Sequence, residues 1–97
     1  MLHLISDATL SAAVIERIAS GDDVVLQSGA VWAALDGHRD NAKLNLLLAQ
    51  TVNIYALEDV LAMNGISHQQ LLQGVNVIDY VGFVELTVKN SVIHTWC

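Results

Sequence analysis

The feature that most constrains this chain is a rhythm. Short runs of β-branched residues recur along it, and each is followed by a longer stretch with helical spacing. His3-Leu4-Ile5 closes a first run, and Asp23-Val24-Val25-Leu26-Gln27 is a second. Val52-Asn53-Ile54-Tyr55-Ala56, Val75-Asn76-Val77-Ile78 and Val92-Ile93-His94-Thr95-Trp96 follow. Residues of these types fit strands. The last run reads equally well as a terminal tail of the same composition. Between the runs, Leu10, Ala13, Val14 and Ile18 fall on one helical face. Asp7 or Thr9 is placed to cap that helix, and Ser20-Gly21 to end it. Ala30 to Leu35, Leu44 to Ala49, Glu58 to Met63 and Ser67 to Leu72 read as further helical segments. Asp79 is the expected cap of a last helix on which Tyr80, Phe83, Val84 and Thr87 share a face.

Strands separated by helices predict an α/β domain with a mainly parallel sheet of about five strands. Right-handed crossovers place helices on both sides, giving three α/β/α layers. The interior runs lack strict in–out alternation, as expected when both faces are covered. A chain of 97 residues has material for one such domain, spanning 1–97.

Composition sharpens the expectation. Apolar residues make up 54% of the chain and charged ones 14%, against a typical charged share of about 25%. Too few charged side chains are available to cover the outside, so part of the surface is expected to be buried against another chain. A homo-oligomer formed through the same surface is the expectation when partners are absent. The net charge is −6, and the four cations, Arg17, Arg39, Lys43 and Lys89, are dispersed. That argues against direct nucleic-acid binding, which needs a basic patch, and against adhesion to an anionic membrane. No apolar run approaches the roughly 20 residues of a membrane span. The first residues carry neither a basic segment nor a signal-type apolar core, so a cytoplasmic protein is expected.

Motifs for chemistry are sparse. The glycines form neither GxGxxG nor GxxxxGK[ST]. Gln27-Ser28-Gly29 stands between a strand and a helix, where it serves a turn or a small-ligand or anion site at the carboxyl edge of the sheet. His3, His38, His68 and His94 lack metal-ligand spacing, and Asp36, His38 and Asp40 read as a solvated polar loop. Neither Asp22-Asp23 nor Glu58-Asp59 can work as a paired acid and base, because adjacent side chains face apart. Glu58 and Asp59 suit a helix start instead. The serines offer no GxSxG turn. No catalytic residue, cofactor or metal site is therefore assigned. Cys97 is the sole cysteine, so no intrachain disulfide forms. Its place beside the chain carboxylate disfavours the thiolate a nucleophile needs. Trp32, Tyr80, Phe83 and Trp96 are the candidate interface aromatics. Tyr55 and Tyr80 are expected at strand ends, with their hydroxyls on polar partners.

Several stretches occur in a telling order: Met1-Leu2-His3, then Val24 to Val31 with Ala33-Ala34-Leu35, then Val52 to Asp59. Met63-Asn64-Gly65-Ile66, Val77 to Thr87 and a closing His94-Thr95-Trp96 complete the series. In length, order and spacing the chain resembles the TusB/DsrH family of sulfur-relay subunits, almost end to end. The Asp79-Tyr80 to Leu86-Thr87 block carries most of the likeness. The resemblance implies a DsrE-like α/β/α fold and a cytoplasmic complex, a dimer of heterotrimers, with TusC/DsrF-like and TusD/DsrE-like subunits. In the Tus branch that heterohexamer relays persulfide sulfur, through a TusE-like acceptor, toward 2-thiolation of the tRNA wobble uridine. In the Dsr branch relatives serve sulfur oxidation. DsrH-type members can carry a cysteine in the first helix; that place falls near Val14 here, and valine cannot hold a persulfide. The resemblance thus implies a noncatalytic subunit nearer TusB. Direct persulfide carriage through Cys97, or a DsrH-like part in sulfur oxidation, is the alternative.

Overall fold

A computed structural model describes residues 1–7 and 10–96. The five β-branched runs become β1 (Leu2–Ile5), β2 (Asp23–Leu26), β3 (Asn53–Leu57), β4 (Asn76–Ile78) and β5 (Ile93–Trp96). They form one sheet in the order β4-β3-β2-β1-β5, with every neighbouring pair parallel. The last run is a true strand, registered on β1 with Leu2 opposite Ile93 and Ile5 opposite Trp96. The helices are α1 (Ala12–Arg17), α2 (Asn41–Ala49), α3 (Glu58–Met63) and α4 (Tyr80–Lys89), with 3-10 turns at Ser28–Ala34 and His68–Gln70.

This strand order decides which helix lies where. From β1 to β4 the chain steps in one direction across the sheet, so right-handed crossovers carry α1, α2 and α3 to the same face. From β4 to β5 it steps back the other way, and the same handedness puts α4 on the opposite face. Packing follows this division. Ile5, Val24, Leu26, Ile54 and Ala56 pack in the larger core with Val31, Leu44, Leu47 and Leu61. Leu2, Val25 and Leu86 form a smaller one, flanked by Leu4, Tyr55, Leu57, Ile78 and Phe83. The central strand β2 is buried on both sides, which is why it reads as an unbroken apolar run.

The two faces are unequally covered. Five strands about 4.8 Å apart make a surface roughly 20 Å wide. A single helix is about 10–12 Å across. On the α4 face, Leu4, Tyr55, Leu57 and Ile78 stay half-buried, and Ile93 stays exposed.

Several local expectations need correction. The N-cap of α1 is Ser11, whose hydroxyl accepts from the Val14 amide, and not Asp7; Thr9 lies outside the described residues. Of the expected face, Leu10 and Ile18 are buried in the core on either side of the helix and Val14 packs at its margin beside Ile15, while Ala13 is exposed. The helix after the Asp36–Asp40 loop starts at Asn41 rather than Leu44. The Asn41 side chain donates to the carbonyls of Ala33 and Leu35 and accepts from the Gly37 amide, which fixes the turn before it. Ala30–Leu35 and Ser67–Leu72 are realised as 3-10 turns, at Ser28–Ala34 and His68–Gln70. Asp79 does cap α4, accepting from the Gly82 amide at 2.8 Å. The buried side of α4 is the Phe83–Leu86 side, however, and Tyr80 and Val84 point outward. Tyr55 sits within β3, not at its end. Gly74, at φ +102, lets the approach to β4 run against Leu48: an added Cβ would stand 2.9 Å from Leu48 Cδ1.

Asp23, 1% exposed at the head of β2, sets the rotation of α4. Its carboxylate accepts from Asn53 Nδ2 (3.0 Å), Lys89 Nζ (3.1 Å) and Asn90 Nδ2 (3.0 Å). One acid thus holds β3 and the carboxyl end of α4 together. Burial by itself would raise the Asp23 pKa. The hydrogen bonds from Asn90, Lys89 and Asn53 and the charge of Lys89 outweigh it and hold the carboxyl below the ordinary aspartate range.

Mutation and pH both test this clamp. Asp23→Ala should cost about 1–3 kcal/mol in denaturant unfolding, because it removes the buried acceptor that three side-chain donors share. Lys89→Ala should cost less than about 1 kcal/mol, since the Lys89 side chain is 62% exposed. A carboxyl whose pKa is lowered by folding stabilises the fold above its unfolded pKa of about 3.9 and stops doing so as pH falls through the folded value. Asp22 and Asp40 are shifted the same way. The melting temperature should therefore drop below about pH 4, and Asp23→Asn should flatten that part of the profile.

Candidate functional site

Three polar or open regions could carry chemistry, and each is built by a different part of the sheet. The first is at the amino edge. His3 is buried in β1, with Nε2 2.9 Å from Asp22 Oδ2. Trp96 Nε1 lies 3.1 Å from His3 Nδ1. An indole N–H can only donate. Nδ1 is therefore the acceptor, the proton sits on Nε2, and Nε2 donates to Asp22. Asp22 also accepts from the Ala19 amide (3.0 Å) and the N-terminal ammonium (3.2 Å). Burial pushes its pKa up, but these bonds, with His3 first among them, pull it below the ordinary range. The His–Asp pair looks like half of a catalytic triad. The nitrogen that would take a proton is occupied by Trp96, so the chain of bonds works as a latch that ties β5 and β1 to the entry of β2.

The second region is around Asp40, which is buried rather than part of a solvated loop. It accepts from the Leu10 amide at 3.3 Å and pairs with Lys43 at 3.3 Å, while Lys43 Nζ also reaches the Leu10 carbonyl. His38 Nδ1 accepts from the Asp40 amide, and Asp36 is exposed. Burial raises the Asp40 pKa; the Leu10 amide and Lys43 overcome that and lower it. The cluster fastens the segment before α1 to the start of α2. Among the described residues no group of three or more His, Cys, Asp or Glu could hold a metal ion.

The third region is a groove along the carboxyl edge of β2, β3 and β4. It consists of three adjoining depressions of ≈500, ≈170 and ≈390 Å³. The first runs from Gln27-Ser28-Gly29 to Met63 and Asn64. It shares Leu57 and Val60 with the middle one, which Ile78, Tyr80 and Phe83 close. Glu58 and Ile78 carry the wall onward to His68, Asp79 and Gly82. Among the described residues, Glu58, Asp59 and Asp79 are the charged ones lining it, and neither Lys nor Arg does. An anion is therefore poorly served at the Ser28-Gly29 turn, where Ser28 takes the left-handed φ of 53°.

The four candidate aromatics do not form one patch. Tyr80 and Phe83 line the middle of the groove. Trp32 borders its far end, donating from Nε1 to Asn64 Oδ1 at 3.2 Å. Trp96 belongs to the latch. Cys97 lies outside the described residues. Val14 is half-buried against the core. The Asp23 network and the Asp22–His3–Trp96 latch leave little trace in the sequence because their members lie up to 93 residues apart. The adjacent acids Asp22-Asp23 were the one visible trace, and the pleat sends them to opposite faces of the sheet.

Fold and site together define a small all-parallel α/β/α domain with structural polar latches and an apolar, acid-rimmed carboxyl edge. Two solved structures share that architecture over 98% of this chain. They are a protein of unknown function, MTH1491, from Methanobacterium thermoautotrophicum (TM-score 0.79, 20% identity, 96% of that chain) and the ychN protein from E. coli (TM-score 0.78, 21% identity, 97% of that chain). The model of the DsrH-like protein family matches residues 5–93. Protein TusB of Erwinia tasmaniensis is 33% identical and Protein TusB of Shigella flexneri 35% identical, each over 99% of this chain and 100% of the relative. The chain belongs to the TusB/DsrH family of sulfur-relay subunits.

The latch is testable by nitrogen-detected NMR, which should find the His3 proton on Nε2 and Nδ1 accepting. Trp96→Phe keeps the ring but removes the donor. It should cost about 1 kcal/mol and leave the proton on Nε2, where the Asp22 carboxylate still accepts it.

Proposed function

We propose that this chain is a noncatalytic subunit of a cytoplasmic, Tus-like sulfur-transferase complex. Its partners are TusC/DsrF-like and TusD/DsrE-like subunits, in a heterohexamer that passes persulfide sulfur toward a TusE-like acceptor for 2-thiolation of the tRNA wobble uridine. The full-length kinship with TusB proteins supports this reading. The observation that carries it is the thinly covered α4 face. Val81, Val84 and Val88 form an outward row at helical spacing, continued by Val92 and Ile93 at the sheet edge. Val88 is 81% exposed. A row of this kind on a chain with so few charges is suited to burial against another subunit. The persulfide needs a cysteine, and the first-helix position holds Val14, which leaves sulfur carriage to a partner.

Native mass spectrometry of this protein co-produced with the two homologous subunits tests the assembly. Val88→Asp should leave the fold's stability within about 0.5 kcal/mol and weaken assembly at least tenfold. Cys97→Ser should leave sulfur transfer by the reconstituted complex intact. Loss of transfer with assembly preserved would instead make this chain a sulfur carrier through Cys97.

A further inference from the structure

We propose that the carboxyl-edge groove is a docking site for a basic, apolar-anchored segment of a partner protein, an arginine or lysine stem entering beside Tyr80 with its charge against Glu58 and Asp59. The proposal uses the subunit reading only for the source of that segment. It stands on the shape, lining and charge of the groove, which is separate from the α4 row.

The middle depression is walled by Leu57, Val60, Ile78, Tyr80 and Phe83 and edged by Glu58 and Asp59. At ≈170 Å³ it is below the roughly 300–1,000 Å³ of small-molecule sites, so it accepts one large side chain rather than a whole ligand. Tyr80 stands 72% exposed on its rim, and half-buried apolar side chains remain open beside it. Glu58 and Asp59 complement the amino end of α3. That role accounts for their position in sequence. It does not account for an uncovered apolar wall directly next to them.

Charge selects the occupant. Every charged lining residue of the three depressions is acidic, and the chain carries −6 overall. A second copy would bring the same acids to the same place and be repelled. Nucleic acid is excluded for the same reason. An Arg or Lys stem satisfies both halves of the site, since its methylenes lie on apolar walls while its cationic head reaches the rim. The neighbouring depressions, which carry Met63 at one end and His68 and Asp79 at the other, extend the seat along the segment that bears this anchor.

Two experiments separate this proposal from the subunit reading. The first uses the full chain and a pair of fluorescent amphipathic peptides, identical in their leucines and carrying arginine in one and glutamate in the other. Fluorescence anisotropy should give at least tenfold tighter binding of the arginine peptide, weakening as salt is raised. Glu58→Lys with Asp59→Lys should abolish that preference, and Tyr80→Glu, a surface change, should reduce binding at least fivefold. Glu16→Lys with Asp36→Lys changes net charge equally, away from the groove, and should leave binding as it was. Equal binding of both peptides, or equal losses from the two charge reversals, would overturn the proposal. The second experiment places a photocrosslinking phenylalanine at position 80 or at position 46 in the complex co-produced with the two homologous subunits. Crosslinks from position 80 into a Lys- or Arg-bearing partner segment are expected. An assembled complex that crosslinks from position 46 alone, and is indifferent to the Glu58/Asp59 reversal, would also overturn it. Absence of any complex with the unaltered chain would count against the subunit reading, and the peptide result would then decide the groove by itself.

Discussion

The fold depends most on one buried carboxylate. Asp23 opens the central strand and receives side chains from β3, from the last turn of α4 and from the residue that follows it. A charge this far from water is tolerable only when it is fully paired. Its requirement for donors dictates where α4 must end, and so which side of that helix meets the sheet. Phe83 and Leu86 face inward as a result, and Val81, Val84 and Val88 face out. The outward apolar row is thus a consequence of the polar clamp as much as of the helix's own sequence.

Topology then makes the molecule lopsided. Three right-handed steps in one direction gather α1, α2 and α3 on one face, and the single return step leaves α4 alone on the other. The better-covered face holds the large core and the His3–Trp96 latch that secures the edge strand β5. The other is half-finished and suits a chain completed by neighbours. The carboxyl edge follows the same logic. Loops after β2, β3 and β4 converge there on an apolar floor with an acidic rim, while the polar networks at the amino edge are closed on themselves.

Much of this was legible beforehand. Five β-branched runs with helical gaps sufficed for the parallel α/β/α sheet, and Asp79 and the Glu58–Met63 helix fell where spacing put them. Boundaries slipped where a tertiary contact overrode local preference. Ser11 replaced Asp7 as a cap, and α2 began early because Asn41 found the carbonyls of Ala33 and Leu35. Tyr80, Phe83, Val84 and Thr87 share a stripe of α4, but the side that meets the sheet is set by Phe83 and Leu86. Periodicity describes an amphipathic face without saying which way the helix is turned. The aromatic candidates were found by type, but not their separate fates, since Trp96 became a donor inside the latch.

What the sequence determined by itself was local and compositional: strand and helix content, parallel pairing, the deficit of charge that calls for partners, and kinship with a family. These follow from side-chain type and spacing, which act over a few residues. Tertiary structure alone decided that Asp23 would meet Lys89 and Asn90, and that His3 would stand between Asp22 and Trp96. It also gathered the loops of three strands into one groove. Such meetings join residues distant along the chain, and strand order, which no local pattern encodes, brings them within hydrogen-bond reach.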